Sequence, residues 1–166
     1  MKEEIELKLV EEFPRLLKGY RGDPTKTCLA FGLECGDGWA EIIHKCCEQL
    51  DALAKLDKSL SITIEQIKEK FGELRIYLRT SCDNPVVSSI AYSIVRDAEL
   101  CSQSTCEVSG GYGSLCRRGM WYKTLSFDIV NAKDSEFNLY VPTNERTKED
   151  WNRRIIKQQQ EEETYK

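Results

Sequence analysis

The sequence has one histidine, four prolines, two methionines and no apolar run long enough to cross a bilayer. With His44 alone, a histidine-rich metal centre is excluded. His44 also falls beside the apolar stripe of a predicted helix, where it reads as an edge-of-core residue rather than a general base. There is no G-x-x-x-x-G-K, no G-x-S-x-G and no H-E-x-x-H, which removes phosphate-loop nucleotide hydrolases, serine hydrolases and zinc proteases of the common kinds. The acidic opening, Met-Lys-Glu-Glu-Ile-Glu, lacks the apolar stretch of a signal peptide. The expectation is a cytoplasmic protein with no membrane partner. A net charge of -4 excludes a surface generally coated for nucleic acid and leaves room only for a local basic patch.

What is present suits one globular body. A chain of 166 residues can bury an ordinary core, and 40% hydrophobic with 31% charged residues is the balance of a folded protein. Ile5, Leu9, Val10, Phe13, Leu16 and Leu17 recur at helical spacing over residues 3–17, with Pro14 set to break the helix. Residues 18–37 carry glycine and proline turn chemistry and read as a long loop. Trp39, Ile42, Ile43, Cys46, Cys47, Leu50, Leu53 and Ala54 make the clearest helical stripe. Residues 60–67 and 74–78 alternate apolar and polar about a turn at 70–72, which predicts a hairpin. Asn84 and Pro85 then open a helix whose stripe is Val87, Ile90, Ala91, Ile94, Val95, Ala98 and Cys101. Strands are expected near 113–117, 120–127 and 136–141, and a last helix capped by Thr147 and Asp150, with Trp151, Ile155 and Ile156. The fold class is α+β, divided into a body over residues 1–104, a small hairpin over 105–130 and a C-terminal strand and helix over 131–166.

Residues 106–128, C-E-V-S-G-G-Y-G-S-L-C-R-R-G-M-W-Y-K-T-L-S-F-D, have the outline of a zinc ribbon: a cysteine, a glycine turn, a short strand, a second turn and another strand. Ser109 stands where the second thiolate of C-x-x-C would be, and Ser126 near the third ligand. Serine does not replace a thiolate on zinc, so no metal or other cofactor is expected. Leu115, Leu125, Tyr112 and Trp121 are expected to bury against the body in compensation. Of the eight cysteines, Cys46 and Cys47 read as core, Cys28 and Cys35 flank the glycine loop, and Cys82 precedes a turn. Cys101, Cys106 and Cys116 remain near the ribbon, and with another thiol or His44 they could build a rewired zinc site.

Three segments resemble a family of small uncharacterised proteins of bacteriophages and bacterial genomes, whose members run through C-F-G-x-E-C-G-D-G-W, Q-V-K-E-K-F-G-x-L-R-F-Y and T-C-E-x-C-G-x-x-G-x-L-C-x-R-G-x-W-Y-K-T-L-C-x-x-C. The matching stretches are A-F-G-L-E-C-G-D-G-W (30–39), Q-I-K-E-K-F-G-E-L-R-I-Y (66–77) and residues 105–126. The resemblance covers about residues 27–128. It implies a zinc ribbon in which only Cys106 persists here, with Ser109, Ser126 and Ile129 at the other ligand places. It implies no activity.

Two groups of residues could carry function. Phe31, Glu34, Asp37 and Trp39 sit among glycines before a helix, where Asp37 could simply cap that helix while Trp39 anchors the core. Alternatively, carboxylates and aromatics there form a pocket for a nucleotide-like ligand. Arg75, Tyr77 and Arg79 share one strand face, a face that solvent alone could account for. If the two hairpins meet, these residues join Arg117, Arg118, Tyr122 and Lys123 in a basic aromatic patch. The function these features point to is non-enzymatic: a phage-type, anti-defence binding protein, with host cytoplasm as its location, that captures a small nucleotide-like signal or a host protein. A nucleic-acid-binding module is the alternative, and a thiol-dependent enzyme a distant third.

Overall fold

A computed structural model describes residues 1–133 and 135–140. It is α+β, with helices α1 (Glu3–Glu12), α2 (Ala40–Leu56), α3 (Pro85–Ser102) and the single turn α4 (Phe127–Val130). The strands are β1 (Ser61–Lys70), β2 (Glu73–Ser81), β3 (Ser114–Arg118), β4 (Trp121–Leu125) and β5 (Asn138–Leu139). β1 and β2 pair antiparallel, and β4, β3 and β5 form a second antiparallel sheet in that order. The expected last helix lies outside the described residues.

Local chemistry explains where elements begin and end. α1 stops at Glu12 rather than at Leu17, because Pro14 lacks the donor a continuing helix needs. The chain then turns through 14–20 and still buries Leu16 and Leu17. In β1 the apolar residues Ile62, Ile64 and Ile67 break strict alternation. A register shift between Ile64 and Gln66 absorbs the extra residue, so all three are buried. The other edge of this hairpin is covered by α3, where Ser102 Oγ accepts from Leu74 N–H at 2.9 Å and Glu99 Oε1 from Ile76 N–H at 3.1 Å.

α3 corrects the expected stripe. Its buried residues are Ala91, Val95, Ala98 and Ser102, whereas Ile90 is 44% exposed and Cys101 is exposed. Apolar residues spread over more than one face of a helix cannot all point inward, and here the face with the small residues is the one turned to the core. The long 18–37 loop is also more ordered than its turn chemistry suggests. It holds 3-10 turns at Cys28–Phe31 and Asp37–Trp39, and Glu34 runs beside β1 through Glu34 N–H to Ile67 O and Glu69 N–H to Glu34 O.

The core forms two clusters. The larger joins α1, α2, α3 and the β1–β2 hairpin around Trp39, Ile43, Cys47, Leu50, Ile64 and Leu74. The smaller, around Cys106, Cys116 and Leu125, belongs to the second sheet, with Ile129, Val130, Phe137 and Leu139 against it. Between them the glycines of E-C-G-D-G-W meet the segment after Cys106. A methyl added to Gly36 would lie 2.2 Å from Glu107 O, and one on Gly38 2.2 Å from Cys106 O. Gly36 has φ -77°, so close approach rather than a left-handed backbone is what requires glycine there.

Gly38→Ala must therefore separate the two backbones. We expect a loss of about 1–3 kcal/mol or more in urea unfolding, against a near-neutral Gly111→Ala, whose added methyl would meet only Ser109 Oγ at 3.6 Å.

Candidate functional site

The seam between the clusters decides what the sequence-predicted residues are free to do. Gly38 N–H donates to Glu107 O at 2.8 Å, Gly36 N–H to Glu107 Oε1 at 3.0 Å, and the Trp39 indole N–H to Thr105 O at 2.8 Å. Glu107 is 3% exposed, and its second carboxylate oxygen accepts from Lys123 Nζ at 2.7 Å. Trp39 is fully buried and has no face on which a base could stack.

Asp37 does not cap α2. Trp39 occupies the N-cap position, and the Asp37 carboxylate turns to α1, accepting from Lys2 N–H at 2.7 Å with Lys2 Nζ at 3.5 Å. That backbone bond, helped by the ammonium, holds its pKa below the ordinary carboxylate value. The 3-10 turn beginning at Asp37 inserts three residues before the helix and carries the carboxylate past the cap. Glu34 accepts from Gln66 Nε2 at 3.0 Å, and Phe31 is 61% exposed. The four loop residues thus do not converge on one pocket: two are absorbed by packing and pairing, and two face solvent.

The basic residues are brought near carboxylates one by one. Arg75 meets Glu73 and Glu99, Arg79 meets Glu65 at 2.6 Å, Arg118 meets Glu136, and Lys123 meets Glu107. Tyr77 remains 44% exposed. Arg117 lies over the Tyr122 ring at 5.6 Å, and Tyr122 contacts Tyr140 edge-to-face.

The hairpins do meet, the turn of the first against the side of the second. Thr124 Oγ1 donates to Gly72 O at 2.7 Å, and a methyl on Gly72 would strike Leu115 Cδ1 at 2.5 Å. Both tips are two-residue turns: Phe71 (φ 56°) and Gly72 (φ 82°) join β1 to β2, and Gly119 (φ 59°) and Met120 join β3 to β4. They enclose a cleft of about 390 Å³ lined by Lys68, Lys70, Phe71, Met120, Trp121 and Tyr122, together with Glu69. Phe71 is 69%, Met120 79% and Trp121 67% exposed. This overturns the expectation that Trp121 buries; Tyr112 is also exposed, while Leu115 is half-buried and Leu125 buried. The hairpin docks through Thr124, Glu107 and the glycine seam, so its tip overshoots the body. Phe71, Met120 and Lys70 were not among the expected site residues. The signal for them was Phe-Gly in a two-residue turn where Asn-Gly is the usual choice.

The ligand places of the ribbon gather about Cys106. Its Sγ accepts from Ser109 N–H at 3.4 Å. Burial would raise its pKa, but the Ser109 hydroxyl and the N–H groups of Ser109, Val108 and Ser126 outweigh it and set the thiol below its ordinary value. Ile129 packs on the same cluster. One thiol, two hydroxyls and an aliphatic chain do not fit zinc, and among the described residues no three His, Cys, Asp or Glu side chains come together as a metal site. Cys116 is buried with its Sγ–H toward Ser114 O, and Cys101 is exposed on α3. His44 Nε2 lies 2.9 Å from Glu12 Oε2 with its ring edge-on to Phe13, at the margin of the core.

No protein-family model, curated protein or solved structure matches the chain.

Burial raises the thiols of Cys35 and Cys46 to about 12 and of Cys116 to about 11, and that of Cys47 further. In the unfolded chain they ionise near 9. Above that pH the unfolded state releases protons that the folded state keeps, so stability is full below about pH 9 and falls as pH rises toward 11–12. The urea midpoint is expected to fall as pH rises from about 9 to about 11, and substituting Cys46→Ala should flatten that fall.

Proposed function

We propose that this chain is a non-enzymatic binding protein of the phage family it resembles, acting against a host defence, and that it captures a host protein in the cleft between its hairpin tips. The observation that carries this reading is the exposure of Phe71, Met120 and Trp121 around one cleft, with the Phe71–Gly72 turn held by the Thr124 hydroxyl. Clustered exposed aromatics of this kind anchor protein interfaces. Phe71 is the more telling because its left-handed φ costs an aromatic residue about 1–3 kcal/mol, which folding alone gives no reason to spend.

Charge narrows the partner. Among the described residues Lys68 and Lys70 have no carboxylate within ion-pair reach, and Glu69, between them, is occupied by Gly72 N–H at 2.7 Å. Arg117 adds a cation beside Met120 and Tyr122. A partner segment with apolar anchors flanked by carboxylates complements this rim. The small nucleotide-like ligand is the weaker choice at the Trp39 loop, since Trp39 and Asp37 are engaged within the fold. A nucleic-acid reading is favoured by one observation, the alternation of Phe71, Trp121 and Tyr122 with Lys68, Lys70 and Arg117.

A host protein captured by the native chain and then purified should bind it saturably. We expect Trp121→Ala to weaken that binding by about 30-fold, Arg79→Ala to leave it within about twofold, and both variants to keep stability within about 0.5 kcal/mol. Equal binding by Trp121→Ala and the native chain would remove the cleft from the interface. Affinity for random single-stranded DNA that falls steeply with salt would establish the nucleic-acid reading instead.

A further inference from the structure

A second concavity, on a different side of the seam, has the makings of a small-molecule site. It occupies about 450 Å³ where α2, α3 and the 105–110 segment converge, within the range of ligand pockets. Its floor is apolar and low: Ile42 and Cys46 from α2 and Ala98 from α3, with Ala98 leaving room that a longer side chain would fill. At one end it is closed by Gly38 and Gly110, whose backbones pack against each other.

The polar groups around this floor have a definite character. Glu41 on α2 and Asp97 on α3 place a carboxylate on each wall, and Gln49 adds an amide that can donate and accept together. Among the described residues Asp97 has no cation within ion-pair reach, and Glu41 has only Lys45, one turn along its own helix at 3.2 Å. Two carboxylates against one ammonium leave the groove negative. It repels phosphate and favours a neutral or cationic molecule rich in N–H donors.

We propose that this groove binds a planar heterocycle bearing amino groups, the chemistry of an aminopurine base. The ring lies on Ile42, Cys46 and Ala98, its amino and ring N–H groups donate to Asp97 and Glu41, and Gln49 pairs with a donor–acceptor edge. Free base and nucleoside share that chemistry. A nucleotide differs by the phosphate that the carboxylates oppose. This site is independent of the hairpin-tip cleft and stands whether or not a host protein binds there.

The test uses the full chain with adenine, adenosine and adenosine monophosphate as probes in calorimetric titration. Saturable binding of adenine or adenosine is expected, at least about tenfold tighter than the monophosphate. Asp97→Asn and Gln49→Ala, both at the groove's rim, should each weaken it about tenfold or more while circular dichroism and melting temperature stay native. Cys101 lines the groove and is exposed, and Cys28 is exposed elsewhere, so bound adenosine should slow alkylation of Cys101 while leaving Cys28 unchanged. The proposal is overturned if no probe binds at millimolar concentration, if the monophosphate binds as well as the nucleoside, if both variants bind normally, or if Cys101 is not protected under saturation.

Discussion

The Glu107 peptide and side chain hold two parts of the molecule together. Its carbonyl takes the Gly38 N–H, one carboxylate oxygen takes the Gly36 N–H, and the other takes the Lys123 ammonium. A buried carboxylate is costly unless its lone pairs are matched, and here the matching groups come from the body on one side and β4 on the other. The indole of Trp39 closes the same seam from beneath by donating to Thr105 O. Because these contacts require backbones closer than a Cβ permits, the glycines and the glutamate are interdependent. Removing one leaves the others facing unsatisfied polar groups.

That dependence accounts for the form of the hairpin module in the absence of zinc-ligand chemistry. The N–H groups that converge on the Cys106 sulfur, the salt-bridged Glu107 and the Thr124 bond to Gly72 O fix the knuckle from three directions. Large apolar side chains contribute less than the sequence suggested, with Leu125 buried but Trp121 and Tyr112 left outside. Polar fastening of this kind restricts the hairpin's orientation while leaving its tip undressed.

Periodic segments were the legible part of the sequence. The stripe from Trp39 to Ala54 and the paired runs about residues 70–72 specify their elements because burial imposes a single period on each. Even the uneven spacing of Ile64 and Ile67 is visible, though not the bulge that resolves it. The candidate sites were less legible because their determinants are distances between segments far apart in the chain. Nothing local says that Asp37 will reach back to Lys2, or that Glu73, Glu99 and Glu65 will neutralise Arg75 and Arg79. The same holds for Trp121, whose apolar character argues for burial until the docking angle of β4 is known.

The pairing of arginines with acids also governs how the surface behaves among many competing macromolecules. With Arg75, Arg79 and Arg118 each balanced by a neighbouring glutamate, the long-range field of these strands is that of dipoles rather than net charges, and it fades quickly with distance. Polyanions passing at a Debye length feel little pull from them. Charge-guided recognition is thereby confined to the cleft, where Lys68, Lys70 and Arg117 stay uncompensated among the described residues, so that an encounter must be close before it becomes an attachment.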